Sequence, residues 1–283
     1  MRGYLPDYTF ESANSLKKAL SFCEAGAKPF AGGTDLMVLF EAGLLAPGKY
    51  LDISRLKELK GIKNSKTQVT LGALTTYSQI RNHLILTKQF PILGLASREV
   101  GALAIQNRGT IGGNIANASP AADFPPGLLV YDAKIQLIST KGIRTLDYNR
   151  FHLGYKKTEL RQDELVLSVS LKPEFQKYHH FWRKVGNRRA QAISKTMMAG
   201  IAKTTKKTIQ DIRIAFGSVG PTAARCYHVE SFLKGKAINT QNIQEAKQLL
   251  SKDIHPIDDI RSTGKYRLRV SQNVLEEFLC GIG

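Results

Sequence analysis

The chain is short of the residues that disulfide and metal chemistry require. It has three cysteines, Cys23, Cys226 and Cys280, far apart and in no CxxC pair. That spacing argues against a disulfide framework. It also excludes an iron–sulfur cluster held by four cysteines of this chain alone. The six histidines form no HExxH and no spaced metal pair. No run of about 18 apolar residues exists that could cross a membrane. The N-terminal stretch MRGYLPDYTFESANSLKKAL has no apolar core of the kind a secretion signal needs, so the expected compartment is cytoplasmic. Acidic residues are few as well, 23 against 41 Lys and Arg, for a formal charge of +18. Such a charge suits anionic cofactors, acidic partners or nucleic acid. The cations are scattered, however, and no helix-turn-helix, zinc finger or RNP aromatic motif accompanies them. Nucleic-acid binding is therefore the remote alternative. There is no GxGxxG after a strand, no GxxxxGK[ST], and no Ser-His-Asp or paired-carboxylate constellation.

What is present is an ordinary globular composition, 42% hydrophobic and 23% charged over 283 residues, enough for two domains. Residues 12–25 have helical apolar spacing, with Ser12 as N-cap and Gly26 as stop. A short strand around Lys28-Pro29-Phe30-Ala31 leads through Gly32-Gly33 to a second helix that opens at Thr34-Asp35. Strands are expected at 49–53 and 67–73, helices at 76–86 and 91–105, and a Gly/Asn/Ser-rich loop over 109–123. A helix at 124–131, a strand at 134–139 and a half-buried strand at 164–171 follow. The polar joint Pro173–Tyr178 marks a boundary. Beyond it, strands at 179–186, 194–204 and 211–219 precede helices at 227–234, 241–251 and 265–280. Tyr266, Val270, Val274, Leu275, Phe278 and Leu279 fit the inner face of the last helix. The basic stretch Arg261, Lys265, Arg267, Arg269 reads as a solvated face.

Two glycine segments carry the chemistry. In Phe30-Ala31-Gly32-Gly33-Thr34-Asp35-Leu36, the absence of Cβ lets backbone approach a ligand closely. Consecutive amides in such a turn make an anion nest, although a plain strand–turn–helix connection would need the same residues. The second segment, Thr110-Ile111-Gly112-Gly113-Asn114-Ile115-Ala116-Asn117-Ala118-Ser119-Pro120-Ala121-Ala122-Asp123, is read as a second nest. Two nests fit a ligand with two phosphates. Asp123 could accept from a ribose diol or cap the helix that starts at Phe124-Pro125.

The pair 31-AGGTDL-36 and 110-TIGGNIANASPAAD-123 resembles the FAD-binding medium subunits of the molybdenum hydroxylases, the xanthine dehydrogenase and carbon monoxide dehydrogenase flavoprotein family. Further likeness lies in Tyr8, Leu16 and Ala19-Leu20, in Glu164-Leu165-Val166-Leu167, and in a C-terminal part that begins near His179. The resemblance implies an α+β fold. Residues 1–175 would form a vanillyl-alcohol oxidase/PCMH-type FAD-binding domain of two α/β subdomains, about 1–56 and 57–175. Residues 176–283 would form a CO dehydrogenase flavoprotein C-terminal-like domain. It further implies a non-covalent FAD. Lys28, Pro29, Phe30, Ala31, Gly32, Gly33, Thr34, Asp35 and Leu36 would lie at its pyrophosphate. Thr110, Gly112, Gly113 and Asn114 would form a second cradle, Asp123 would sit near the adenosine ribose or adjoining polar groups, and Ala122 would also bind the cofactor. Gly101 would run along the cofactor and Leu167 would pack on its flavin or adenine portion. Lys184, in 181-FWRKVGNRR-189, would sit beside the isoalloxazine ring and tune its potential, with Arg188 near the same edge. Gln191 departs from the acidic residue that many relatives carry there. His179-His180 and Trp182 are expected at a domain boundary.

The implied function is transfer of electrons from [2Fe-2S] clusters on one partner subunit, supplied by molybdopterin on another, through FAD to NAD+ or a different acceptor. A xanthine dehydrogenase-like complex is the first expectation. A carbon monoxide, aldehyde or N-heterocycle dehydrogenase is the alternative, and a heterotrimer or dimer of heterotrimers is the expected assembly.

Overall fold

The computed structural model describes residues 7–188 and 190–283. The N-terminal unit runs β1 (Tyr8–Ser12), α1 (Leu16–Glu24), β2 (Lys28–Phe30), α2 (Leu36–Ala42) and β3 (Gly48–Asp52). Its three strands pair in parallel in the order β1-β3-β2. Parallel neighbours need crossovers, and α1 and α2 supply them. The helix α1 starts three residues later than its spacing alone implies. Ser12 ends β1, and the cap is the Ser15 hydroxyl, which accepts from the Lys18 amide at 3.3 Å. One face of this unit buries Ala19, Leu20 and Cys23 against Leu51, Ile53 and Leu165.

The second unit is a five-stranded antiparallel sheet with helices inserted between its second and third strands in sequence. It contains β4 (Ile62–Asn64) and β5 (Val69–Gly72). The helices follow: α3 (Tyr77–Asn82), α4 (Leu84–Gln89), α5 (Pro91–Glu99), α6 (Leu103–Arg108), α7 (Ile111–Asn117) and α8 (Phe124–Val130). The remaining strands are β6 (Lys134–Ser139), β7 (Gly142–Asp147), the small pair β8 (His152–Gly154) and β9 (Lys157–Thr158), and β10 (Leu165–Leu171). The sheet order is β4-β5-β10-β6-β7. The expected long helices are each broken in two. His83 is extended between α3 and α4, and Gly101, at φ +53°, turns the chain between α5 and α6. The strand β10 is buried along nearly its whole length rather than on one face. It is central in its sheet and lies between two cores: Leu165 and Leu167 face the N-terminal core, while Val166, Val169 and Leu171 face the larger one.

The C-terminal unit carries β11 (His179–Val185), β12 (Thr196–Thr205), β13 (Thr208–Gly217) and β14 (Ala224–Arg225), antiparallel in that order. The helices α9 (Tyr227–Leu233), α10 (Thr240–Leu249) and α11 (Gly264–Gly281) pack on them. The inner face of α11 is Arg267, Ser271, Val274, Leu275, Phe278 and Leu279. Tyr266 is exposed instead. Arg267 is not solvated: it donates to the Ser218 carbonyl at 2.9 Å and to Asp259 at 2.6 Å. Its buried guanidinium replaces one apolar contact with bonds that staple the preceding loop to the sheet. Where the two domains meet, Tyr131 contacts His180 (3.0 Å), and the Trp182 indole donates to Glu99 (3.0 Å). Among the described residues no helix is long and apolar enough to cross a membrane.

Candidate functional site

A cleft of about 690 Å³ opens where the three units meet. This is the size of a cofactor site rather than a surface groove. Both glycine segments line it, along with Gly101. The first wall is the turn from β2 into α2. A Cβ on Gly32 would stand 2.0 Å from the Arg108 carbonyl oxygen, so α6 and this turn touch through bare backbone. Gly33 has φ +76°, and a Cβ there would meet the Phe30 ring at 2.5 Å. The Arg108 Nε donates to the Gly32 carbonyl at 3.1 Å, which turns that oxygen away from a ligand role. The amides of Gly32, Gly33, Thr34 and Asp35 donate to no acceptor among the described residues. Unpaired amides in a cleft are costly unless a ligand or water takes them.

The second segment differs from expectation. It is a helix, not a loop: α7, capped by the Thr110 hydroxyl. Its amides are already used. Ile111 donates to Thr75 (3.0 Å), Gly112 to Ala73 (2.8 Å), Gly113 to Thr110 Oγ1 (3.1 Å) and Asn114 to the Thr110 carbonyl (3.0 Å). Gly112 is required because a Cβ would lie 2.7 Å from that of Ala73. The amides of residues 111–114 are therefore spent within the fold, unlike those of the Gly32 turn. This wall offers a smooth backbone surface and one aimed group, the buried Asn114 Oδ1, which has no hydrogen-bond partner. Behind it, Tyr77 stacks on Phe124 with ring centroids 5.1 Å apart. Burial pushes its phenol up, and the Asn114 side chain pulls it part of the way back.

One end of the cleft is charged. Lys184, on β11, reaches across the domain junction to Asp123 Oδ2 at 2.8 Å and the Glu99 carbonyl at 2.9 Å. Both partners are nearly enclosed, their side chains 9% and 8% exposed. Burial pushes the Asp123 carboxyl up to about 6, although Lys184 pulls the other way. Its Oδ1 is buried and unpartnered. Asp123 precedes α8 but makes no side-chain cap. The pair sets the Lys184 ammonium directly against Asp123 at the edge of the cleft.

Of the residues singled out from the sequence, Pro29, Ala31 through Leu36, Gly101, Thr110, Gly112, Gly113, Asn114, Ala122 and Asp123 line the cleft. Lys28 lies outside the lining, over the Tyr50 ring. Phe30 packs under Gly33, Leu167 packs against the N-terminal core, and Lys184 stands behind Asp123. Arg188 folds back on its own loop and donates to the Gln191 carbonyl at 2.5 Å, while Gln191 itself (φ +52°) lines the cleft. Arg189 lies outside the described residues. Sequence reasoning missed Glu164 through Val166 as lining; they adjoin Leu167 and were within reach. It also missed Tyr155 and Lys156 at the β8–β9 turn, Ile193, and Arg261. These come from distant segments with no local pattern to mark them. Lys156 is held by Asn117 Oδ1 at 2.8 Å, and Glu164 by Arg144 at 2.6 Å. Among the described residues, no group of three or more His, Cys, Asp or Glu could hold a metal ion.

Residues 6–173 match the family model for the FAD binding domain in molybdopterin dehydrogenase, and residues 182–281 match the CO dehydrogenase flavoprotein C-terminal domain. The chain belongs to the FAD-binding subunits of the molybdopterin dehydrogenases. Within that family it is 34% identical over 269 residues to the glyceraldehyde dehydrogenase medium chain of Sulfolobus acidocaldarius, covering 94% of this chain and 95% of the relative. It is 29% identical to the xanthine dehydrogenase FAD-binding subunit of Escherichia coli O157:H7, covering 89% and 87%. A chain of the carbon monoxide dehydrogenase of Hydrogenophaga pseudoflava superposes with a TM-score of 0.92 at 26% identity, covering 96% of each chain. The α+β architecture of a FAD-binding domain followed by a flavoprotein C-terminal domain is thus that of the family.

The residues present fit such a cofactor. A diphosphate would satisfy the four orphaned amides of Gly32 to Asp35. The unpartnered Asn114 Oδ1 and Asp123 Oδ1 would accept from hydroxyl or ring N–H groups.

Proposed function

We propose that this chain holds FAD non-covalently in the cleft and acts as the electron-transfer flavoprotein of a multi-subunit molybdenum hydroxylase. It would pass electrons from an iron–sulfur partner to NAD+, while a third subunit carries molybdopterin. The observation that carries this reading is the run of unpaired amides from Gly32 to Asp35, facing Asn114 across one cleft. FAD, when bound, exchanges electrons singly or in pairs and so joins one-electron to two-electron carriers.

The chain's own residues bind and orient. The amides of Gly32 to Asp35 take the diphosphate. Asn114 accepts a hydrogen bond from the cofactor's polar middle, and Gly101 and Val166 give it apolar walls. Asp123 and Lys184 together form the polar end at which the flavin ring belongs. Lys184 places a buried positive charge there, which favours a ring that gains negative charge on reduction. Asp123 tempers that charge as it ionises.

The domain division at about residue 175 and the cytoplasmic setting complete this reading. Xanthine is the first expectation for the reducing substrate. A second reading, an aldehyde, is favoured by the higher identity to a glyceraldehyde dehydrogenase chain than to a xanthine dehydrogenase one, 34% against 29%.

The test is purification of the chain with whatever accompanies it. The isolated chain should be yellow and release FAD on denaturation. Asn114→Leu should weaken FAD binding about tenfold, the cost of one lost buried hydrogen bond. The complex should reduce NAD+ with xanthine or with glyceraldehyde. A colourless chain that refuses added FAD overturns the reading. FAD-loaded complex that reduces only an artificial dye overturns the acceptor.

A further inference from the structure

The C-terminal unit contributes Gln191, Ala192, Ile193 and Arg261 to the lining of the cleft. Arg261 is the one charged residue of that set. A chain of hydrogen bonds fixes where it stands. The Pro120 carbonyl, in the cleft wall three residues before Asp123, accepts from the Ser218 amide at 2.9 Å. The Ser218 hydroxyl meets that of Ser194, the residue after Ile193, at 2.7 Å. The Ser218 carbonyl accepts from Arg267, and Arg267 holds Asp259 at 2.6 Å. Asp259 shapes the tight turn that carries Arg261: its Oδ1 accepts from the amides of Arg261 (2.8 Å) and Ser262 (3.1 Å). This turn therefore belongs to the same end of the cleft as Asp123 and Lys184.

The Arg261 guanidinium is only partly engaged. Its Nη1 donates to Asp259 Oδ2 at 3.2 Å, and Nε and Nη2 meet no acceptor among the described residues. Asp259 carries one negative charge and serves two guanidiniums, so one positive charge is left over. Asp258, the other carboxylate of this loop, accepts from the Gly264 amide, and Lys265 balances its charge. Asp123 already has Lys184. The Arg261 side chain is 41% exposed and so open to a ligand that enters from solvent. A planar fork with free donors, on a backbone held in place beforehand, suits a phosphate. The phosphates of the resident cofactor do not need it, because the amides of Gly32 to Asp35 stand ready for them on another wall.

We propose that Arg261 anchors the diphosphate of the electron acceptor, a pyridine dinucleotide that enters at this mouth with its nicotinamide toward Asp123. This rests on the reading above, with the flavin ring at that end and NAD+ as acceptor. Arg261 is a specificity-determining residue: it favours an anionic acceptor over a neutral one and takes no part in the chemistry.

The experiment uses the flavin-loaded complex. Calorimetry measures binding of NAD+ and of ADP-ribose, which has the diphosphate without the nicotinamide, apart from turnover. Arg261→Gln should weaken both about tenfold or more, the loss of one charge-assisted hydrogen bond. KM for NAD+ should rise by the same factor with little change in kcat. Reduction of benzoquinone, an uncharged acceptor, and flavin content should hold at the parent level. Arg261→Lys should fall between, since it keeps the charge and loses the fork. Lys265→Gln, the same loss of charge four residues on, should change NAD+ affinity less than about twofold. Added salt should weaken NAD+ binding more in the parent than in Arg261→Gln. Unchanged affinity for both nucleotides in Arg261→Gln refutes the anchor. Loss of flavin refutes it too, because Arg261 would then hold the resident cofactor. An equal fall in rate with benzoquinone and with NAD+ would reduce Arg261 to a support of its own loop. A parent complex that carries flavin but binds neither nucleotide overturns the acceptor reading, and the anchor with it.

Discussion

Replacing Lys184 by methionine isolates the ion pair that joins the two domains at the cleft. Asp123 is lifted from 3.8 to about 6 even with Lys184 at 2.8 Å, an electrostatic cost of about 3 kcal/mol at neutral pH. The native state therefore binds this proton more tightly than the unfolded chain does. The cost is absent below about pH 4 and grows as pH rises through about 6. Methionine fills much of the lysine's volume but removes the charge that draws Asp123 downward, so the carboxyl moves above its present value. Removing one partner of a buried pair costs about 3–5 kcal/mol, and that is the expected loss of stability at about pH 8. Near pH 5 Asp123 is largely protonated in both proteins. There only hydrogen bonds are lost, and the expected difference falls to about 1–2 kcal/mol. Urea unfolding of the FAD-free variant and parent across this range measures both figures. Asp123→Asn in the Lys184→Met background should recover most of the loss at about pH 8, because no buried charge is then left alone. An equal loss at both pH values, or no recovery in the double variant, would refute the assignment of the cost to the stranded carboxylate.

Gly32→Ala should abolish flavin retention while leaving the C-terminal unit folded. The new Cβ would stand 2.0 Å from the Arg108 carbonyl oxygen, and relief requires moving the Gly32–Asp35 turn away from α6. The visible flavin absorption of the purified protein reads this directly, and a fully yellow variant would count against the turn as the diphosphate site. Arg267→Met should cost about 2 kcal/mol, because it leaves the Ser218 carbonyl without its donor and takes one charged partner from Asp259, which keeps Arg261. For 283 residues that corresponds to a fall of about 4 °C in thermal midpoint. A change of only a degree or two would show that the loop before α11 is held by something else.

Much of the fold was legible because its causes are local. Apolar spacing marks α1 and α10, and alternation marks β6. Pro91 and Asp123-Phe124-Pro125 announce helix starts. The glycine pairs announced close backbone approach, and the cleft shows both. The misreadings share one cause. The segment 110–117 looks like a loop by composition, since two glycines and two asparagines are poor helix formers. It is a helix because Ala73 and Thr75, some forty residues earlier, accept its first amides and hold the turn. Arg267 reads as a surface cation until Ser218 and Asp259 are seen to surround it. The buried length of β10 follows from its place between two cores, which no periodicity encodes.

By itself the sequence determined where backbone must be bare, where helices start, and which family the two glycine segments belong to. It did so because steric demands at glycine, capping residues and apolar spacing act within a few residues. Only the tertiary structure decided which amides remain free for an anion, that Asp123 and Lys184 share one end of the cleft, and that α2 keeps an apolar face outward. Those outcomes depend on partners from distant segments, and a hydrogen-bond donor or a buried charge is defined by what happens to stand opposite it.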